Sequence, residues 1–204
     1  MNRKFDVALV ILTLILNIAL NDSIAKSKTK KLKSATAGKI YVPKNINGFK
    51  LSDTKKYKNI EYGLGITYTS EKHPQVKFDY YIYPMYNNVS IEGIMVAEYE
   101  TTINGIKTFS EKEGAIVSTL HEELKSVNDL KYIKSTINID NNYGTFISEL
   151  YLTSIRGHYI KARFSYPMYD SKKFDLRRLA EDTFRQVLIE TKFKSKKNLK
   201  LVSF

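Results

Sequence analysis

The sequence has no cysteine and no tryptophan, and its 204 residues include three histidines, four prolines and nine glycines. Without cysteine the chain forms no disulfide, carries no lipid on an N-terminal cysteine and has no thiolate for catalysis or metal binding. Its stability must therefore come from a hydrophobic core. Residues 40–191 are numerous enough to enclose one such core, and we expect a single domain there.

A long hydrophobic run is also missing. The uncharged segment from Val7 to Leu20 is shorter than the roughly 20 residues that a membrane-spanning helix requires. A basic N-terminus precedes this segment, and the small residues of a Ser-Ile-Ala tripeptide ending at Ala25 follow it, which is the arrangement of a secretory signal. The alternative is an uncleaved membrane anchor. We expect residues 1–25 to be a signal peptide cut after Ala25, and the mature protein to be periplasmic or secreted.

Acidic residues are absent from two segments that account for most of the formal net charge of +12. Residues 26–39 hold six lysines and residues 192–204 hold five, so residues 40–191 are close to neutral. A neutral body argues against a nucleic-acid-binding face. We expect a flexible basic linker at 26–39 and a flexible basic tail at 192–204, because few apolar residues are available to order them. Both are expected to be solubilising, with weak contact to anionic lipid as the alternative.

Alternation of apolar and polar residues predicts an antiparallel sheet. Segments 64–68 and 76–83 both alternate, which is typical of a hairpin with one buried face. Segment 130–139 alternates in the same way. Segment 115–124 is open between strand and helix, and its Ala-Ile-Val-Ser-Thr-Leu run favours a strand.

The late hairpin has the best-defined pattern. Placing its two apolar sets on one face puts Leu152 opposite Ile160 and leaves a three-residue loop that ends at Gly157. The same register pairs Glu149 with Arg163 on the outer, solvent-facing side.

Two segments show the three- and four-residue spacing of amphipathic helices. The first is expected to end near Gly114; the second is expected to follow Asp170 or Ser171, either a suitable N-cap, and to end near Glu190. The order of elements predicts an α+β fold, in which an antiparallel sheet of about six to seven strands in hairpins is packed by two main amphipathic helices.

This element order, with Asn47-Gly48-Phe49 near its start and a late hairpin followed by a helix, resembles the PsbP-like fold of small exported or lumenal α/β sandwich proteins. The resemblance covers roughly residues 40–191. It implies that the chain is an accessory or binding protein and not an enzyme.

Catalytic and metal-binding patterns are scarce. The histidines, His73, His121 and His158, include no pair at metal-ligand spacing, and neither a nucleophile elbow nor a phosphate-binding glycine motif is present. His158 is expected to be a solvent-exposed strand residue. We therefore predict no catalytic residue, no metal site and no cofactor. The alternative is an envelope hydrolase in which His121 or His158 meets a carboxylate in a cleft.

Tyrosine, with 15 copies, is the main indication of a binding function. Its ring is a flat apolar surface with a polar hydroxyl, although strands are also rich in tyrosine without any ligand. Strand alternation places Tyr81, Tyr83 and Tyr159 on the exposed face, and Tyr86 and Tyr169 end two copies of the motif Tyr-Pro-Met-Tyr. We predict that these five tyrosines bind a protein or another envelope component, and that the chain is a non-enzymatic accessory protein.

Overall fold

The computed structural model describes residues 31–34, 38–59, 62–85, 91–169 and 175–194. The strands are β1 (Lys31–Ser34), β2 (Gly38–Tyr41), β3 (Asn45–Ile46), β4 (Phe49–Lys56), β5 (Leu64–Thr69), β6 (Lys77–Pro84), β7 (Ile116–Val127), β8 (Leu130–Asn141), β9 (Gly144–Ile155), β10 (His158–Pro167) and β11 (Lys192–Lys194); the helices are α1 (Ile91–Lys112) and α2 (Leu176–Glu190). An eight-stranded sheet has the order β3-β4-β5-β6-β10-β9-β8-β7, and a small sheet has the order β1-β2-β11. All pairings are antiparallel, so the predicted α+β class is confirmed.

Each face of the eight-stranded sheet has its own hydrophobic core. The larger core contains Phe164 of β10 and Phe184 of α2, and it lies on the α2 side. The smaller core contains Leu152 of β9 and Met95 of α1, and it lies on the α1 side. Neighbouring residues on the central strands therefore enter different cores, and both faces of those strands are largely closed to solvent.

The predicted register of the late hairpin is wrong by one residue. Leu152 lies opposite Lys161 instead of Ile160, and the loop contains two residues, Arg156 and Gly157. Their φ angles of 50° and 72° are those that a tight two-residue hairpin turn requires. The error follows from assuming a single buried face, because Leu152 and Ile160 belong to opposite cores.

Two further expectations are wrong because both faces of the central strands are buried. Glu149 and Arg163 lie on opposite faces of the sheet, and Glu149 is fully buried, so the predicted outward pair does not form. His158 is 7% exposed instead of solvent-exposed, because β10 lies between β6 and β9. Burial lowers the pKa of His158, and a hydrogen bond between its Nδ1 and the Arg156 carbonyl, 3.0 Å long, opposes that change.

The helix boundaries agree with the sequence pattern except at the start of α2. Gly114, with a φ of 72°, follows α1 as expected. Asp175 is the N-cap of α2, and its side chain accepts a hydrogen bond of 3.1 Å from the Arg178 amide. The expected caps, Asp170 and Ser171, lie outside the described residues. The ambiguous segment after Gly114 is strand β7, which forms one edge of the large sheet.

Each of the two basic segments contains a short described strand, and the flexibility expected of the linker and the tail stays a prediction. Strand β1 lies within 26–39, strand β11 lies within 192–204, and both pair with β2. Ile40 of β2 is fully buried in the larger core, so the small sheet has an apolar anchor on the folded body. The predicted signal peptide lies outside the described residues. Within the described part of the chain, no helix has the length and hydropathy needed to cross a membrane.

Helix α2 is fastened to strands β7 and β8 by the carboxylate of Glu181. This carboxylate accepts hydrogen bonds from Lys134 at 2.7 Å, from Lys125 at 2.9 and 3.0 Å, and from the Tyr132 hydroxyl at 3.1 Å. Burial alone would raise the pKa of Glu181, but the hydrogen bonds from the two lysines outweigh burial and lower that pKa to about 2. The ionised form of Glu181 therefore stabilises the native state.

We expect the Glu181 contacts to be lost in acid. A carboxylate whose pKa is lowered on folding stabilises the protein above its unfolded pKa, and that contribution disappears as pH falls from about 4.5 to about 2. Over this window the wild type should lose about 1–2 kcal/mol more unfolding free energy than Glu181→Gln, a value reduced for partial solvent screening. Urea denaturation at both ends of the window measures the difference. Asp182→Asn, at an exposed neighbouring acid, is the control and should retain the wild-type loss; an equal loss in Glu181→Gln would contradict the assignment.

Candidate binding site

Strands β6 and β10 bring three of the predicted tyrosines together with two cations. Across this pair Tyr83 lies opposite Tyr159, Tyr81 lies opposite Lys161, and the next row contains Arg163. All five residues lie on the α1 side of the sheet, because they alternate with residues of the larger core. We call Tyr81, Tyr83, Tyr159, Lys161 and Arg163 the tyrosine–cation cluster.

The centre of the cluster is a lysine ammonium between two aromatic rings. Lys161 Nζ lies 5.4 Å from the ring centroid of Tyr81 and 5.3 Å from that of Tyr83, within the range of cation–π attraction. The Tyr83 and Tyr159 ring centroids are 5.3 Å apart. Helix α1 contributes Glu98, whose carboxylate accepts a hydrogen bond of 2.7 Å from the Tyr83 hydroxyl. Tyr83 is therefore held in place by the Tyr159 ring and by Glu98. The Lys161 ammonium lies next to the rings of Tyr81 and Tyr83.

Arg163 extends the positive charge along β10. Its Nε donates a hydrogen bond of 2.7 Å to the hydroxyl of Ser148 on β9. The cross-strand acid, Asp79, is already engaged elsewhere, since it accepts a hydrogen bond of 2.8 Å from Thr67 and forms an ion pair of 3.0 Å with Lys77. The described residues therefore give Arg163 a neutral hydroxyl partner, while the cross-strand acid Asp79 is paired with Lys77.

Burial governs the ionisation of the cluster. It lowers the pKa of Lys161, and the nearby Arg163 lowers this pKa further, while Glu98 acts in the opposite direction. Burial also lowers the pKa of Arg163, against the opposing influence of Tyr81 and Asp79. Both cations are thus held in surroundings that solvate charge poorly. A bound anion would offset the free-energy cost of keeping these two positive charges out of water.

Tyr57, which follows β4, lies next to the cluster, because its ring contacts Gly65, the residue of β5 that pairs with Tyr81. The Tyr57 ring covers Gly65 of β5 so closely that a Cβ at Gly65 would lie 3.3 Å from the Tyr57 hydroxyl. Tyr57 also packs edge-on against Tyr62, with 6.0 Å between the ring centroids. Its amide donates a hydrogen bond of 3.2 Å to the Gly63 carbonyl.

The structure brings together three of the five tyrosines that were predicted to bind a partner. Tyr81 and Tyr83 are half-buried, but Tyr159 is 7% exposed, so its expected exposure is wrong. The reason is that α1 covers this part of the sheet, and Tyr159 packs into the smaller core. Tyr169 is 69% exposed and follows the opposite end of β10, away from the cluster. Tyr86 lies outside the described residues.

Sequence reasoning missed Lys161 and Arg163. Both alternate with the apolar residues of β10, as Tyr159 does, and this pattern places all three on one face. The pattern alone suggested an ordinary solvated face, because it carries no information about the strand that lies alongside. The pairing of β10 with β6 is what places the two cations beside tyrosines.

The described residues give little support to catalytic chemistry. His121 Nε2 lies 3.7 Å from Glu123 Oε2, but both side chains are on the edge strand β7 and that of His121 is largely exposed. The hydrolase alternative requires a histidine and a carboxylate that converge in a cleft, and this pair lies on an edge. Among the described residues, no group of three or more histidine, aspartate or glutamate side chains is placed to hold a metal ion.

No protein-family model matches the sequence, and no curated protein matches it. Solved structures with a similar fold include the cyanobacterial PsbP protein (CyanoP) of Synechocystis sp. PCC 6803, with 10% identity and a TM-score of 0.48, over 86% of this chain and 99% of that one. The Ran-binding protein Mog1p of Saccharomyces cerevisiae is similar at 10% identity and a TM-score of 0.46, over 85% of this chain and 97% of that one.

A third similar structure is LpqN, described as involved in cell envelope biogenesis of Mycobacterium tuberculosis, with 9% identity and a TM-score of 0.40, over 88% of this chain and 96% of that one. The element order indicated a resemblance to the PsbP-like fold, and a PsbP protein is among the structures similar to this chain. The similarity concerns the fold alone.

Proposed function

We propose that the protein is an exported, non-enzymatic binding protein that recognises an acidic segment of a partner protein at the tyrosine–cation cluster. The observation that carries this proposal is the position of the Lys161 ammonium, which contacts the rings of Tyr81 and Tyr83. In the described part of the chain this ammonium forms no ion pair. Export rests on the sequence pattern of residues 1–25, whose cleavage after Ala25 is part of the same proposal.

The charges of the cluster favour an anionic ligand. Lys77 and Asp79 neutralise each other, and Glu98 is bound to the Tyr83 hydroxyl, whereas Lys161 and Arg163 occur two residues apart on the same strand. Two adjacent cations repel each other, and a ligand carboxylate placed between them would remove that repulsion. A carboxylate is therefore a better ligand for this site than a neutral or basic group.

The aromatic residues favour a peptide as the carrier of that carboxylate. The half-buried Tyr81 and Tyr83 present flat surfaces next to the cations, and tyrosine and arginine are the residue types enriched where proteins contact each other. Because the tyrosines are fixed by packing and by Glu98, little side-chain freedom would be lost on binding.

The proposal is tested by titrating the protein with a short glutamate-rich peptide and with its glutamine counterpart, followed by amide chemical shifts. We expect binding of the glutamate peptide, with shifts centred on β6 and β10. Lys161→Gln should weaken this binding about tenfold, which corresponds to a lost charged hydrogen bond of about 1.5 kcal/mol. Equal binding of the two peptides would contradict the proposal.

Two control variants separate the cluster from other surfaces. Lys131→Gln removes a charge from an exposed position on β8 and should leave the affinity within about twofold, as expected for surface substitutions. Tyr169→Ala tests the exposed tyrosine at the opposite end of β10. A loss of affinity in Tyr169→Ala that equals the loss in Lys161→Gln would move the binding surface away from the cluster.

A further inference from the structure

Strand β7 forms one edge of the eight-stranded sheet, and in the described part of the chain it pairs with β8 alone. The strand has 12 residues. Three of its large apolar side chains lie mainly in solvent, with exposed fractions of 74% for Ile116, 55% for Leu120 and 59% for Leu124. The opposite edge of the sheet is β3, which has 2 residues. A long, exposed and apolar edge strand is a template for pairing with another chain, whereas a very short one is protected from it.

The regular part of β7 is the segment 121–127. A bulge at Leu120 interrupts the register, and from His121 to Val127 each residue has one partner on β8. Leu124 is the central residue of this segment. Antiparallel pairing with a second copy of the chain, about a two-fold axis at Leu124, therefore uses the whole regular segment.

The backbone groups that point outward from β7 fit this pairing. A two-residue turn, Asn128 and Asp129, joins β7 to β8, and its φ angles are 46° and 64°. The residues that flank such a turn, Val127 and Leu130, form a hydrogen-bonded pair, and hydrogen-bonded pairs alternate with non-hydrogen-bonded pairs along the ladder. The amide and carbonyl groups that point away from β8 are therefore those of residues 122, 124 and 126.

An axis at Leu124 brings these outward groups together. Residue 124 then lies opposite its own copy, and residue 122 lies opposite residue 126 of the second copy. Each of these pairs is of the hydrogen-bonded type, so the ladder between the copies continues through the segment. Backbone groups that water now solvates on each copy become the hydrogen-bonding partners of the other copy.

The side chains select the same register. Residue 123 lies opposite residue 125 of the second copy, so a Glu123–Lys125 pair forms on each side of the axis. Both side chains remain 31% exposed beside their contact of 3.1 Å within one chain. An axis one residue earlier would place Glu123 opposite Glu123, and an axis one residue later would place Lys125 opposite Lys125. Like charges directly opposite each other are unfavourable, so the charges favour the axis at Leu124.

We propose that two copies of this chain associate edge to edge through residues 121–127 of β7, with Leu124 facing Leu124 at the two-fold axis. The two eight-stranded sheets then form one continuous sheet. Assembly stops at two copies, because both long edges are used and β3 is too short to continue the pairing. Strands β8 and β9 separate β7 from the tyrosine–cation cluster, so the dimer does not depend on the proposed function.

Cysteine crosslinking of the full chain tests the register, because the chain has no cysteine of its own. Leu124→Cys places two thiols across the axis, with Cα atoms about 5.5 Å apart, a distance that a disulfide spans. Ser126→Cys is the matched control at an exposed position of the same strand, where the two thiols would be separated by about 13 Å along the strands. We expect air oxidation to give a disulfide-linked dimer from Leu124→Cys and a monomer from Ser126→Cys.

Sedimentation velocity measures the association without a crosslink. We expect the wild type to dimerise as its concentration is raised. Leu124→Lys should dimerise at least about tenfold more weakly, because facing positive charges replace an apolar contact. Ile116→Lys makes the same change at an exposed position outside the segment 121–127 and should leave dimerisation unchanged.

Three results would overturn the proposal. The first is a wild type that stays monomeric at every concentration, as it would if another segment of the chain or a partner peptide covered β7. The second is the formation of assemblies larger than a dimer. The third is crosslinking of Ser126→Cys as readily as of Leu124→Cys, which would indicate random collision instead of the pairing about Leu124.

Discussion

Replacing Gly63 with alanine is expected to lower the free energy of unfolding by about 3–4 kcal/mol, the combined cost of an unfavourable dihedral and an overpacked contact. Gly63 has a φ of 61°, and an added Cβ would collide with the Ile82 carbonyl oxygen and lie 2.7 Å from the Tyr83 Cα. Both obstacles are backbone atoms of β6, which cannot rotate away. The tight turn at Gly63 therefore depends on the absence of a side chain.

Gly114→Ala isolates the contribution of the dihedral. Gly114 has a similar φ of 72°, but no atom lies within 4 Å of its added Cβ. This control should cost about 1–2 kcal/mol, the penalty of a left-handed conformation alone. Urea denaturation of both variants gives the comparison. Equal losses would show that the contact between Gly63 and β6 is not tight in solution.

Replacing Glu149 with alanine is also expected to destabilise the protein by about 3–4 kcal/mol, because it leaves buried donors without an acceptor. Glu149 is fully buried and accepts hydrogen bonds of 2.8 Å from Thr136, 3.2 Å from the Tyr166 hydroxyl and 3.2 Å from Arg177. Tyr166 is itself buried, so its hydroxyl finds no water as a substitute. The loss is measured by urea denaturation, with Glu111→Ala at an exposed position on α1 as the control of near-zero effect.

A double-mutant cycle with Arg177 tests the cause of that loss. The Arg177 side chain is 59% exposed, so Arg177→Ala alone should cost about 1–2 kcal/mol, less than the loss of a fully buried partner. In a chain that already carries Glu149→Ala, the same substitution should cost almost nothing. Additive losses would mean that the two side chains stabilise the fold independently. Arg178→Ala, at a neighbouring side chain that is 79% exposed, should have little effect in either background.

Local sequence patterns predicted the elements well and their environments poorly. Alternation along residues 76–83 and the spacing of α2 depend on neighbours in the chain, and both are found in the structure. The environment of Glu149 depends on partners from β8, β10 and α2, which no local pattern contains. The presence of two cores also caused the register error in the late hairpin. The apolar side chain of Leu152 does not indicate on which face of the sheet it lies.

The candidate site was predicted in part for the same reason. Alternation placed Tyr81 and Tyr83 on one face, and it did so correctly. It did not reveal that Lys161 lies between them, because that contact depends on a strand pairing between distant segments. The small sheet shows the same limit, because the lysine-rich composition did not indicate that β1 and β11 pair with β2.

The pairing of β6 with β10 also has a consequence for the order in which the protein folds. Pro84 lies opposite His158 and Lys77 lies opposite Ser165, so the central ladder joins segments about 80 residues apart, and such distant contacts slow folding. Strand β6 has no partner on this side until the ribosome has synthesised β10. Late closure of the sheet therefore leaves the hydrogen-bonding edge of β6 open until most of the chain has been synthesised.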